Sequence, residues 1–228
     1  MSMLIVALTG GIATGKSVVA AVLEKHRCYI HSADRVARNL IKPGRPAWQK
    51  IVEHFGPQIL NPDRTINRPK LADVIFSSRK ERLFINRLIH PLVLEKKRQT
   101  ARRLAKKATH KIFVSEAALT IESGFAGFFD KIVVVTCSEA IQLQRLMERD
   151  RISRQEAWKK IRSQMPSAQK AKQADYVIDT SGSLEETIRQ SEVLYRRLLD
   201  DYRKKNKKDV RPPQARLRPR AKRPEAGS

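Results

Sequence analysis

The chain has 228 residues, of which 41% are hydrophobic, which is enough to bury the core of one α/β domain with an insertion. Its net charge of +24 favours polyanionic ligands, either nucleotides or nucleic acid, and charge alone does not choose between them. The two cysteines exclude a disulfide framework, the first apolar run is too short for a signal peptide, and no stretch is long enough to span a membrane. We therefore expect a cytoplasmic protein.

The first apolar run and the glycines after it form the strongest motif. The run 4–8 predicts a buried parallel strand, and helical spacing of apolar residues after the glycines predicts a helix. Between them, GGIATGKS matches the phosphate-binding pattern G-x-x-x-x-G-K-[ST]. We expect Lys16 to reach the β- and γ-phosphates of ATP and the Ser17 hydroxyl to bind Mg²⁺. The expected nucleotide-binding residues are Gly10, Gly11, Ile12, Ala13, Thr14, Gly15, Lys16, Ser17 and Val18.

Asp34 follows a second short strand, which is predicted at 28–31. The carboxyl ends of parallel strands face the ligand crevice, next to the phosphate loop. A carboxylate there can accept the proton of an attacking hydroxyl group or hold a metal-bound water. Asp34 can equally be the N-cap of the following helix, and the residues alone leave both interpretations open.

The region 36–108 has an almost entirely helical pattern and predicts a helical insertion between the second and third strands. An apolar helical run ends at His90-Pro91, and a long Lys/Arg-rich helix is predicted beyond it. His90 in this position is either structural or catalytic. Arg68 and the basic run 96–103 either hold substrate phosphates or form a solvated face.

The second half of the chain predicts three more strands, which alternate with helices: 111–115, 131–136 and 176–179. This order predicts an α/β fold with a mainly parallel, doubly wound sheet. The polar segment 145–172 is typical of a mobile lid that closes over ATP. Arg145 and Arg149 share one helix face at its start, and they either grip a transferring phosphoryl group or belong to a solvated face.

The predicted organisation has three parts. The kinase core comprises 1–35 and 109–205, with the helical insertion 36–108 between them. The last predicted helix ends near Lys205. The remaining segment, 206–228, is rich in Pro, Arg and Lys and has no aromatic residue, so it is predicted to be a disordered basic tail.

Eight short segments resemble, in the same order, those of the dephospho-coenzyme A (dephospho-CoA) kinase family: LTGGIATGKS, SAD-x-x-AR, PG-x-P, FG, HP, E-x(5)-ESGF, Q-x-x-R-x-x-x-RD and ADYVI. The resemblance covers about 4–199. The phosphate loop alone is shared by many families, whereas the ordered set is much more specific. The resemblance implies a P-loop kinase core, a helical insertion that binds coenzyme A, and a lid. It also implies Mg²⁺-dependent transfer of the γ-phosphoryl group of ATP to the ribose 3′-hydroxyl of dephospho-CoA.

The resemblance also implies roles for single residues. Asp34 matches the candidate base for the 3′-hydroxyl, and Arg145 and Arg149 match the lid arginines. Substrate-side positions are implied for Arg68, His90 and Glu116. The chain departs from the family pattern at five positions: Ser32 in place of an Asp, Ala13 and Arg64 in place of glycines, Val18 in place of Thr, and Thr180 in place of Asn. Ser32 counts against a metal site built from two carboxylates.

Two alternatives remain beside the dephospho-CoA kinase. One is another small-molecule P-loop kinase acting on a nucleoside or nucleotide, and the FG and HP segments of the insertion count against it. The other is a basic nucleic-acid-binding protein, which predicts binding with a steep dependence on salt. We expect a monomer whose partners are ATP and dephospho-CoA, with no obligatory nucleic acid and no membrane.

Overall fold

Five short strands form one parallel sheet in the computed structural model, which describes residues 2–124 and 126–209. The strands are β1 (Leu4–Gly10), β2 (Tyr29–Ser32), β3 (Ile112–Glu116), β4 (Lys131–Thr136) and β5 (Tyr176–Asp179). Their order across the sheet is β2-β3-β1-β4-β5, and every neighbouring pair is parallel. The predicted fold class is confirmed, and each predicted strand coincides with an observed one to within two residues.

Nine α-helices connect the strands within the described residues: α1 (Lys16–Lys25), α2 (Ala33–Leu40), α3 (Pro46–Phe55), α4 (Arg68–Ser77), α5 (Arg79–Lys107), α6 (Glu139–Asp150), α7 (Arg154–Arg162), α8 (Ser167–Ala171) and α9 (Leu184–Asp209). None of the described helices is long and apolar enough to cross a membrane. Because each parallel strand returns through helices, the carboxyl ends of the strands meet at one edge of the sheet, where ligands bind in this architecture.

The core lies on both faces of the central strand β1. On one face, Leu4, Val6 and Leu8 pack with residues of α1 and α9. On the other face, Phe113 of β3 is fully buried together with Leu104 of α5. A strand that is buried on both faces must be apolar at nearly every position. This is why the apolar runs of the sequence predicted the strands.

Helix α5 differs from the prediction, because it runs without a break through Pro91 for 29 residues. A proline inside a helix loses one backbone hydrogen bond, and this cost favours a boundary when the sequence is considered locally. Here tertiary packing holds both halves in one helix: Ile89, before the proline, is buried, and Ala101 and Leu104, after it, pack under the sheet. The N-terminal half therefore faces the insertion, and the C-terminal half faces the sheet.

The last helix also extends further than predicted, to Asp209. Asn206, predicted to open the disordered tail, is buried in this helix and is bonded to the start of the chain: its Oδ1 accepts from Ser2 N at 2.7 Å, and its Nδ2 donates to Ser2 O at 3.0 Å. A tail boundary at 206 is therefore wrong, because the sequence signal for the helix ended before this contact. The rest of the predicted tail, 210–228, lies outside the described residues.

Candidate active site

The phosphate loop joins the carboxyl end of β1 to the first turn of α1. Gly10 has a φ of 152°, and a Cβ there would lie 2.3 Å from the carbonyl oxygen of Val135. Gly15, with a φ of 81°, is the N-cap of α1. Ala13 also has a positive φ, 58°, although it carries a side chain. The loop thus adopts a glycine-like backbone at a position where this chain lacks glycine.

Lys16 curls over this loop. Its Nζ donates to the carbonyl oxygens of Gly11, at 2.7 Å, and Gly10, at 3.1 Å. Ser17, the next residue in the first turn of α1, is exposed. The ammonium group is therefore held at the helix N-terminus, where backbone N–H groups and the helix dipole favour an anion.

Four charged side chains act electrostatically on Lys16. Burial is the main influence and lowers its pKa to about 8, while the carboxylates of Glu116 and Asp34 raise it and the cations Lys170 and Arg149 lower it. A bound polyphosphate would favour the protonated ammonium group. The two candidate carboxylates therefore lie near the phosphate-binding lysine, at the same edge of the sheet.

Asp34 lies in the first turn of α2, but it is not the N-cap of that helix. The N-cap is Ser32, whose Oγ accepts a hydrogen bond from the backbone N–H of Arg35 at 3.3 Å. The N-cap interpretation of Asp34 is therefore wrong, and its exposed carboxylate is free to act on a ligand. Glu116 is the register partner of Ser32 on β3, and burial, with Asp34 adding to the effect, raises the pKa of Glu116.

A mostly apolar cavity of about 160 Å³ opens beside Asp34, between α2, α5 and the loop after β3. We call it the acceptor cavity; it is lined by Ala33, Asp34, Ala37, Ile85, Asn86, Ile89, His90, Val93, Leu94, Lys97, Ala117, Ala118, Leu119, Thr120 and Ser123. Two residues predicted from the sequence, Asp34 and His90, thus share one cavity, and burial lowers the pKa of His90. Arg68 does not line this cavity; it is exposed at the start of α4.

Arg145 and Arg149 lie one turn apart on α6, but their guanidinium groups have different partners. Arg145 donates to Thr180 Oγ1 at 3.0 Å and to Thr180 O at 2.9 Å. The buried Thr180 hydroxyl in turn donates to Thr14 O of the phosphate loop at 2.9 Å. Arg145 therefore supports the loop through Thr180, whereas Arg149 is exposed, with its Nε bonded to Asp150.

The segment after α7 is folded down onto the phosphate loop. Ile12 N donates to Gln164 Oε1 at 2.8 Å, and Gln142 Nε2 donates to Ile12 O at 2.8 Å. The side chains of Leu146, Ala157 and the partly buried Ile12 pack in one apolar cluster. The predicted lid segment and the phosphate loop are thus in direct contact.

Lys170 of α8 is a site residue that the sequence did not reveal. It is fully buried, and its Nζ bonds to Ala118 O at 2.7 Å and to Glu122 Oε1 at 2.7 Å. The lid is therefore tied to the loop after β3, the same loop that lines the acceptor cavity. A single lysine in a basic, polar segment gives no sequence signal, because only burial distinguishes it from its solvated neighbours.

Ser17 is suitably placed to contribute to a Mg²⁺ site. Mg²⁺ is usually bound by one or two protein oxygens together with substrate phosphates and water. The described residues contain no cluster of three metal-ligating His, Cys, Asp or Glu side chains. An exposed hydroxyl beside the phosphate loop matches this type of site better than a closed protein cage would.

Comparisons with known proteins agree with this geometry. A family model described as dephospho-CoA kinase matches residues 4–186. A protein named dephospho-CoA kinase from Carboxydothermus hydrogenoformans is 43% identical over 186 residues, which cover 82% of this chain and 90% of that protein. Another of that name from Moorella thermoacetica is 40% identical, with 87% and 96% covered. The solved structure of TT1252 from Thermus thermophilus superposes with a TM-score of 0.73 at 26% identity, covering 87% of this chain and 99% of that one.

Proposed function

The chain belongs to the dephospho-CoA kinase family, and we propose that it transfers the γ-phosphoryl group of ATP to the ribose 3′-hydroxyl of dephospho-CoA, giving coenzyme A and ADP. The observation that carries the proposal is the meeting of two sites at one sheet edge. The phosphate loop with Lys16 lies on one side, and the acceptor cavity opens at Asp34 on the other.

The nucleotide side supplies positive charge. Phosphoryl transfer requires positioning and neutralisation of phosphate charge more than covalent chemistry. The backbone of residues 10–18 and the first turn of α1 bind the phosphates, and Lys16 moves from its own loop carbonyls to the β- and γ-phosphates. Arg149 adds a second mobile cation, while Arg145 holds the loop in position through Thr180.

The acceptor side supplies the base. Asp34 accepts the proton of the 3′-hydroxyl as this oxygen attacks the γ-phosphorus. Ser32 has no carboxylate that could take over the proton, and Asp34, unlike Glu116, lines the acceptor cavity. His90 lines the wall of the cavity and contacts the acceptor.

Mg²⁺ would be held by Ser17, phosphate oxygens and water, and it would neutralise charge on the β- and γ-phosphates. We also propose a cytoplasmic location for the chain, which fits two free cysteine thiols, Cys28 and Cys137. The proposal includes a monomer that needs neither nucleic acid nor a membrane for catalysis.

The test is an ADP-release assay with ATP and Mg²⁺, in which dephospho-CoA, adenosine and nucleoside monophosphates are compared as acceptors. We expect dephospho-CoA to be used best, with ³¹P NMR placing the new phosphate at the ribose 3′ position. Better turnover of a nucleoside or nucleotide would overturn the assignment of dephospho-CoA as the acceptor. The assignment as a P-loop kinase would then remain.

A further inference from the structure

A buried lysine lies in the wall of the acceptor cavity. Lys97 of α5 is only 4% exposed, and it lines the cavity. Its Nζ lies 4.6 Å from the ring centroid of Phe129 and 5.7 Å from that of Phe128. Within residues 2–124 and 126–209, none of the described ion pairs or hydrogen bonds includes this ammonium group. Its only described partners are thus aromatic faces.

Two buried polar side chains without described hydrogen-bond partners lie on the sheet face that packs against α5, the helix that carries Lys97. His31 and Ser115 are register partners on β2 and β3. Tyr29 and Phe113, two residues earlier on the same strands, pack against α5, so the alternation of side chains directs His31 and Ser115 to that face as well. Both ring nitrogens of His31 and the hydroxyl of Ser115 are buried and have no hydrogen-bond partner within the described chain.

Lys97 and His31 influence each other electrostatically. Burial lowers the pKa of His31 to about 4, and the charge of Lys97 contributes to that shift, which indicates that the two side chains are close. Burial likewise lowers the pKa of Lys97 to about 8. Buried polar groups are nearly always hydrogen-bonded, and buried cations are nearly always paired, so an anion in the cavity would supply the partner that Lys97 lacks among the described residues.

The neighbours of Lys97 show that its burial is specific to its position. Lys96 and Arg98, on either side, are exposed. The stripe that includes Asn86, His90 and Lys97 follows helical spacing along the cavity. Lys97 lies seven residues beyond His90, or roughly 10 Å along the helix axis. It can therefore contact a different part of the acceptor from the part that meets His90.

We propose that Lys97 forms an anion subsite of the acceptor cavity, where its ammonium group binds a phosphate of the acceptor and His31 and Ser115 support the bound anion from below. The inference rests on the proposed function. In dephospho-CoA the matching group is the diphosphate that joins the 5′ carbon to the pantetheine arm. The subsite would distinguish this acceptor from nucleosides, which carry no phosphate.

The first test replaces Lys97 with methionine, which has a similar length and no charge. For Lys97→Met we expect the KM for dephospho-CoA to rise at least about tenfold, equivalent to 1.4 kcal/mol of binding. We expect kcat and the KM for ATP to stay within about twofold, and Tm to stay equal or rise, because an uncompensated buried charge is removed. Lys96→Met is the matched control and should match wild type in every constant. An unchanged acceptor KM would overturn the subsite and make Lys97 a structural residue.

The second test uses inorganic pyrophosphate and does not depend on turnover. The phosphate loop is first saturated with a non-hydrolysable ATP analogue. The acceptor side is then the part of the site that remains open to pyrophosphate. We expect pyrophosphate to raise the Tm of wild type and of Lys96→Met but not that of Lys97→Met or Lys97→Gln. A shift of equal size in all four proteins would contradict the subsite. If wild type uses another phosphorylated acceptor and the Lys97-dependent shift persists, the proposed function fails while the subsite stands.

Discussion

The phosphate loop and the acceptor cavity lie at the same sheet edge, but they satisfy their polar groups in opposite ways. In the loop, Lys16 bonds to two carbonyl oxygens of its own loop, and Ile12 bonds to two glutamine side chains from α6 and the lid. In the cavity wall, Lys97 is buried without such a partner, and His31, on the sheet face toward the same helix, also has none among the described residues. The first region bonds its polar groups within the chain, whereas the second leaves the ammonium group of Lys97 without a described ion pair or hydrogen bond.

This difference explains which site was visible in the sequence. A loop that builds its own geometry needs a contiguous set of residues, and GGIATGKS is such a set. The cavity wall takes single residues from distant parts of the chain, because Asp34, Lys97 and Ala118 come together only after α2, α5 and the loop after β3 have packed against one another.

The largest effect is expected on the nucleotide side, from Lys16→Met. Loss of one preorganised charge at the transferring group costs about 10²–10³-fold in kcat. Because the described hydrogen bonds of Lys16 go to carbonyl oxygens of its own loop, we expect the melting temperature to change little. Steady-state kinetics and a thermal melt measure both, and a kcat within a few-fold of wild type would show that the loop backbone alone is sufficient.

The link between the two regions is the ion pair of Lys170 with Glu122. Glu122→Gln leaves a fully buried ammonium group with a weaker partner, so we expect a loss of about 3 kcal/mol in the free energy of unfolding. The double variant with Lys170→Met should recover much of this loss. Asp130→Asn, at the partly exposed pair with Lys205, is the control and should cost no more than about 1 kcal/mol. If the effects of Glu122→Gln and Lys170→Met on the free energy of urea unfolding were additive, the coupling between these two side chains would be contradicted.

The sheet face that packs against α5 has a pH signature through His31. Because its folded-state pKa, about 4, lies below its ordinary 6.5, the unfolded chain binds a proton that the folded chain does not bind, so stability falls as pH falls through this window. The contribution is about 1.4 kcal/mol per pH unit, or about 3 kcal/mol in all. In His31→Leu, the slope of unfolding free energy against pH between pH 4.5 and 6.5 should be smaller than in wild type by about 1.4 kcal/mol per pH unit. An unchanged slope would place His31 in a solvated environment.

The smallest effect concerns Ala13, which has a positive φ, as does Ala108 at the end of α5. Residues other than glycine are strained in this conformation, whereas glycine adopts it freely but loses more entropy on folding. After both effects are counted, Ala13→Gly and Ala108→Gly should each gain about 0.5–1 kcal/mol of stability. We expect kcat to be unchanged in both. A loss of stability in urea unfolding would show that side-chain packing outweighs the backbone cost.

The sequence was sufficient for the architecture and for the loop, because periodicity, strand order and the glycine pattern are local properties. It was insufficient where tertiary packing outweighs a local rule. Pro91 lies inside one continuous helix, Asn206 is bound to the other end of the chain, and Ser32 is the N-cap of the helix for which the sequence left Asp34 as one of two interpretations. The buried lysines, Lys97 and Lys170, were hidden among solvated ones, since burial depends on which helix face meets the sheet.

The central claim is that the two regions meet at Asp34, and the kcat of Asp34→Asn tests it most directly. Asparagine keeps the shape of the side chain but cannot accept the proton, so we predict a loss of at least about a hundredfold in kcat. Tm and ATP affinity should be nearly unchanged, because Ser32 is the N-cap; Ser32→Ala, the control, should lose about 1 kcal/mol of stability and keep its kcat. A kcat for Asp34→Asn within a few-fold of wild type would contradict the account and remove Asp34 from the mechanism.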